Sequence, residues 1–146
     1  MNRNTDIEYD VFTTAIEGGV QYWAQVAEYR PSVGHEGWYA TLVATADLPW
    51  EEYVDRYGVG DVNDSIGHRV DRETIQRGMK ELAGETAEYR EEHRIHPRSE
   101  HARLSYALST VVASGFTMFA DFEDMLDAGT ADMIVQAAIF GEVIYG

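Results

Sequence analysis

Cysteine is absent from the 146 residues, lysine occurs once, at Lys80, and proline three times. Without cysteine there is no disulfide, no thiolate metal ligand and no cysteine nucleophile, and no compositional reason to place the chain in an oxidising compartment. Long apolar runs are also missing. "VVASGFTMFA" and "MIVQAAIFGEVIY" are too short to span a bilayer, and the second contains Gln136 and Glu142. The start, "MNRNTDIEYD", is polar and acidic where a secretory signal carries a basic end and an apolar run. We therefore expect a soluble, cytoplasmic protein with no membrane partner.

Positive charge is scarce. Eleven basic residues face 26 acidic ones, for a net charge of −15. Such a charge repels nucleic acid and attracts basic proteins. Its distribution is uneven: residues 71–103 mix eight acids with seven bases, whereas residues 104–146 hold six acids and no base. An adaptation of the whole proteome to salt would not by itself segregate charge in this way.

Apolar residues make up 45% of the chain, enough to form a core at this length. The pattern predicts an α+β fold, a mostly helical single domain over 1–146 with a small antiparallel sheet or meander around residues 37–70. Residues 6–29 show apolar positions at three- and four-residue spacing and read as a first helix. "GWYATLVAT", "EEYVDRY" and "SIGHRV" read as short strands. "DRETIQRGMKELA" reads as a helix capped by Asp71 and stopped by Gly84, with Ile75, Gly78, Met79 and Leu82 on one face. Residues 85–100 read as a charged connector. Helices follow over 100–114, with Gly115 as stop, and over "FTMFADFEDMLDAG". In "GTADMIVQAAIFGEVIYG", Gly129 ends one element and Thr130 caps the next.

The first and last of these helices share A-I-x-G-x-V-x-Y, at residues 15–22 and 138–145. Glycine weakens a helix by about 1 kcal/mol relative to alanine, so Gly18 and Gly19 need a compensation. Small residues let helix backbones approach closely. The expectation is a crossing of the terminal helices at Gly18, Gly19, Ala138 and Gly141, within one chain or between two copies in a homodimer.

"TTAIEGGVQYWAQV" and "ADMIVQAAIFGEVIYG" resemble the two ends of a family of small uncharacterised proteins encoded by actinobacterial phages, plasmids and related mobile elements. Its pattern runs T-A-x-E-G-G-x-x-Y-W early and I-V-Q-A-A-L-F-G-E late, and "HRVDRETIQRGM" resembles its middle helix entry. The resemblance implies a mobile-element context and transfers no catalytic residue.

No signature of a cofactor or an active site is present, and the reading leans away from an enzyme. "GVGDVND" lacks the lysine and hydroxyl of a phosphate loop. Ser99, Ser105, Ser109 and Ser114 lack the context of a hydrolytic serine. His93, His96 and His101 lie close in sequence but match no zinc spacing. Glu17 and Glu142 flank the glycines and would converge if the terminal helices crossed there. Trp23, Trp38, Tyr39, Trp50, Tyr53 and Tyr57 read as core beneath the sheet.

The acidic run carries the leading expectation. Asp121, Glu123, Asp124, Asp127 and Asp132 fall within twelve positions with no base among them. With Asp47, Glu51, Glu52, Asp55, Asp61 and Asp64 they would imitate the phosphates of a duplex, which carries one charge per about 1.7 Å. The reading is a non-enzymatic interaction protein that binds, and in the sharper form inhibits, a basic or DNA-binding host protein. The alternative is a small-ligand protein or enzyme with a carboxylate or histidine pocket between the terminal helices and the sheet. A structural homo-oligomer is third.

Overall fold

The computed structural model describes residues 6–31, 37–44, 67–84 and 100–143. Helix α1 (Ile7–Thr14) runs into a π-helical turn (Ala15–Gly19) and a 3-10 turn (Val20–Tyr22). Strands β1 (Ala24–Arg30), β2 (Tyr39–Ala44) and β3 (His68–Val70) follow, then helices α2 (Arg72–Ala83), α3 (Glu100–Ala113), α4 (Ala120–Met125) and α5 (Ala128–Phe140). The fold is α+β and mostly helical, with a small three-stranded antiparallel sheet in the order β1-β2-β3. The "EEYVDRY" segment, the acids between Asp47 and Asp64, Trp50, Tyr53, Tyr57, and residues 85–99 lie outside the described residues.

The expected first helix is cut short. Residues 24–30 leave the helical path and pair with β2, from Ala24 opposite Ala44 to Arg30 opposite Tyr39. The register shifts between Val26 and Glu28, so Ala27 is an extra residue in the strand. That bulge breaks strict two-residue alternation. It leaves Val26 and Tyr29 three apart, a spacing that imitates one face of a helix.

Helix α2 follows its sequence signals closely. Asp71 accepts the Thr74 N–H at 3.1 Å while the Asp71 N–H donates to the Thr74 hydroxyl at 3.1 Å. This reciprocal cap satisfies two of the first-turn donors that a helix leaves unpaired. The other end is closed from outside. Ser105 and Ser109 of α3 donate their hydroxyls to the carbonyls of Leu82 and Ala83. Gly84 follows as the C-cap residue.

Helix α5 is the most apolar of the helices and the central one. Ala131, Asp132, Ile134, Val135, Gln136, Ala137 and Ala138 are all buried, so both its flanks are covered. Its largest interface is with α2. The two backbones meet at Gly78, where a β-carbon would stand 2.1 Å from the Ile134 carbonyl oxygen. Arg77 reaches across the same interface and donates from Nε to the Ala138 carbonyl at 3.2 Å. A cation thus sits at the negative end of a helix that has no base in its own last turn.

Tyr29 of β1 and Trp38, just before β2, pack on α1, with the Tyr29 and Phe12 ring centroids 5.8 Å apart. Trp38 lies 4.4 Å from Phe12 between ring centroids and 5.6 Å from Tyr9. Arg72 covers the Trp38 ring from outside, and its guanidinium makes two hydrogen bonds to Asp6, at 2.8 and 2.6 Å. Asp6 also caps α1 through the Tyr9 N–H. One carboxylate therefore ties the start of α1 to the start of α2.

Candidate functional site

The double glycine lies in the π-helical turn. The Val20 N–H reaches back five residues to the Ala15 carbonyl, which widens the backbone locally. Gly19 then rests directly on α5: a β-carbon there would stand 2.4 Å from the Ala128 carbonyl oxygen and 3.1 Å from the Asp132 β-carbon. Gly18 is looser, with the Ala128 β-carbon at 3.5 Å. The close approach falls on the first turns of α5. It does not involve Ala138 or Gly141, which the sequence pattern pointed to. Gly141 has φ +79° and open space around it; it is the left-handed cap that ends α5.

The π turn aims the next residues at one carboxylate. Trp23 is fully buried and donates its indole N–H to Asp132 Oδ1 at 2.6 Å. The Tyr22 hydroxyl donates to Oδ2 at 2.7 Å. Gln136, one turn further along α5, donates to Oδ2 at 2.7 Å and to the Tyr22 oxygen at 3.1 Å. Asp132 is only 3% exposed. Burial pushes its carboxyl above the ordinary value of 3.8, and the bonds from Trp23, Tyr22 and Gln136 pull it back only in part. Although Tyr22 is largely exposed, desolvation of its hydroxyl and the bond to Asp132 push it up to about 12.

Asp132 forms part of the wall of a cleft of about 500 Å³. The rest of the lining is Tyr22, Arg103, Asp124, Met125, Asp127, Gly129, Thr130, Met133 and Val143. The cleft combines both signs of charge with two methionines and a valine. That composition suits recognition of a small amphipathic molecule.

The acidic run divides between two environments. Asp121, Glu123 and Asp124 on α4, and Asp127 after it, are exposed. Asp127, not Thr130, caps α5, accepting the Thr130 N–H at 2.8 Å, and Gly129 lies inside the first turn. Asp132 is not a surface charge at all. Its burial removes it from the expected partner-binding face.

The expected pair of glutamates is not assembled. Tyr29 of β1 donates its hydroxyl to Glu17, and Glu142 stands exposed after the cap at the far end of α5. His93 and His96 lie outside the described residues, as does the side chain of His101. Among the described residues no group of three or more histidines and carboxylates is placed to hold a metal. Trp23 and Trp38 are buried, and Tyr39 lies half-buried under the Arg69 guanidinium at 4.1 Å.

Tyr22, Arg103 and Gln136 escaped the sequence reading. The available signal was the spacing of Asp132 and Gln136. Two polar residues four apart lie on one face of a helix whose other positions are almost all apolar, and a polar pair on such a face needs internal partners. Compared with protein-family models, curated proteins and solved structures, the chain matches none. Among the described residues no helix is long and apolar enough to cross a membrane.

Proposed function

We propose that this chain is a non-enzymatic binding protein that engages a basic partner protein through the face formed by α4 and the cap of α5. The supporting observation is the state of its charges. Asp121, Asp124 and Asp127 are exposed, and none of them forms an ion pair among the described residues. The ion pairs that are described involve Asp6, Glu8, Glu28 and Asp71, with Arg30, Arg69 and Arg72. The fold thus neutralises acids near the sheet and the α1–α2 junction and leaves Asp121, Asp124 and Asp127 without an ion pair among the described residues. The mobile-element context suggested by the two ends of the sequence points to a host protein as that partner, and to the basic groove of a DNA-binding protein in the sharper form.

Attraction of this kind weakens as salt rises. The test is affinity capture from host lysate at low and high salt, with wild type and with an Asp121→Lys, Glu123→Lys, Asp124→Lys triple variant. The expected result is a basic protein retained at low salt by the wild type, released at high salt, and not retained by the variant. Retention that is indifferent to both salt and charge reversal overturns the proposal.

A further inference from the structure

Arg103 is exposed and shares the cleft with Asp124, Asp127 and Asp132, yet it forms no ion pair among the described residues. A flexible cation beside three carboxylates ordinarily reaches one of them; here none lies within ion-pair distance of the guanidinium. Asp132 has accepted three hydrogen bonds, one on Oδ1 and two on Oδ2. An ionised carboxylate offers about four acceptor positions, so one remains. Trp23, Tyr22 and Gln136 hold that carboxylate in place before any ligand arrives, which reduces the ordering that binding requires. Met125, Met133 and Val143 supply apolar surface to the same cleft.

We propose that this cleft binds a small zwitterion with an apolar body, of the size of an amino acid or dipeptide. Its ammonium group is received by Asp132, with Asp124 and Asp127 adding negative charge elsewhere in the cleft, and its carboxylate by Arg103. Its apolar side chain lies against Met125, Met133 and Val143. The ligand completes the contact that Arg103 and the carboxylates do not make with each other. A metal ion is a poorer fit, because the carboxylates are not gathered at coordination distance.

The experiment is isothermal titration calorimetry of the whole chain with L-leucine, L-methionine, L-phenylalanine and the dipeptide Leu-Leu. Two further probes, 3-methylbutylamine and 4-methylpentanoate, each keep only one charge of leucine. The expected result is binding of at least one zwitterion at sub-millimolar concentration, with either single-charge probe at least tenfold weaker. Arg103→Gln, an exposed position, should weaken the zwitterion by tenfold or more and leave the amine unchanged. No zwitterion binding below about 5 mM overturns the proposal. So does an amine that binds as well as the amino acid, or an Arg103→Gln variant that binds normally. Asp121 and Glu123 do not line the cleft, so an Asp121→Lys, Glu123→Lys double variant that loses the basic partner should still bind the zwitterion. The two proposals therefore fail separately.

Discussion

Trp23 donates its indole N–H to Asp132 at 2.6 Å across 109 positions of sequence. The bond fixes the end of the 3-10 turn on the second turn of α5, and both partners are buried. Removal of the acceptor takes the indole N–H's partner in Asp132 away and one of Gln136's acceptors with it. Asp132→Ala should destabilise the fold by about 3 kcal/mol, from donors that lose this acceptor at roughly 1–3 kcal/mol each. Urea denaturation of the two proteins at neutral pH measures this.

The same carboxylate makes a pH prediction. Its folded pKa lies above the ordinary 3.8, so between those two values the folded state binds more proton than the unfolded state. Its contribution to stability therefore falls as pH rises through that window. Tyr22 touches it directly, and Asp124, Asp127 and Arg103 share its cleft. Asp132→Asn carries no titrating group, so the stability difference between variant and wild type should shift toward the variant from pH 4 to pH 7. Denaturant midpoints at the two pH values decide it; a shift toward the wild type would show that the ionised form is the favoured one.

Asp6 behaves in the opposite sense. Its hydrogen bonds from Arg72 outweigh burial and hold its pKa below 3.8. Its contribution is complete above that value and is lost as pH falls through the lower folded one. The pair is close to half exposed, so Arg72→Gln should lower stability by only about 1 kcal/mol at neutral pH, and by less at pH 2. Thermal melts at the two pH values check this.

Two adjacent glycines should respond differently to a methyl group. Gly18→Ala meets only the Ala128 β-carbon at ordinary contact distance, and should be neutral or up to about 1 kcal/mol stabilising. Gly19→Ala drives its β-carbon into the Ala128 carbonyl, and Gly78→Ala into that of Ile134. Each should cost about 2–3 kcal/mol, because backbone must move. Equal melting temperatures for the Gly18 and Gly19 variants would contradict the π-turn geometry.

Alkaline titration reports on the hydroxyl of Tyr22. Free tyrosine ionises near 10, whereas Tyr22 is pushed up to about 12 and Tyr29, half-buried and bonded to Glu17, is raised as well. Ultraviolet difference spectra at pH 11 should show one fewer protonated tyrosine after Tyr22→Phe than in the wild type.

Where structure is set by neighbours in sequence, the sequence was readable. Asp71, the α2 stripe and Gly84 all act within a turn or two of themselves, and β2 follows from an aromatic and β-branched run. The errors arise where distant backbone decides. The bulge at Ala27 gave β1 a helical spacing. Gly18 and Gly141 share a motif but not a role, since one lies in a π turn and the other has a left-handed φ. Asp132 looked like one more surface acid because its partners Tyr22 and Trp23 lie more than a hundred positions away.

The rest of Gly19 on Ala128 has a consequence for biosynthesis. The surface that covers the π turn is made more than a hundred residues after the turn itself. Until α5 is translated, Trp23 has no acceptor and the glycine pair has no wall to lean on. Contacts of such long sequence separation form slowly. The nascent chain therefore carries an open aromatic segment until α5 has been made.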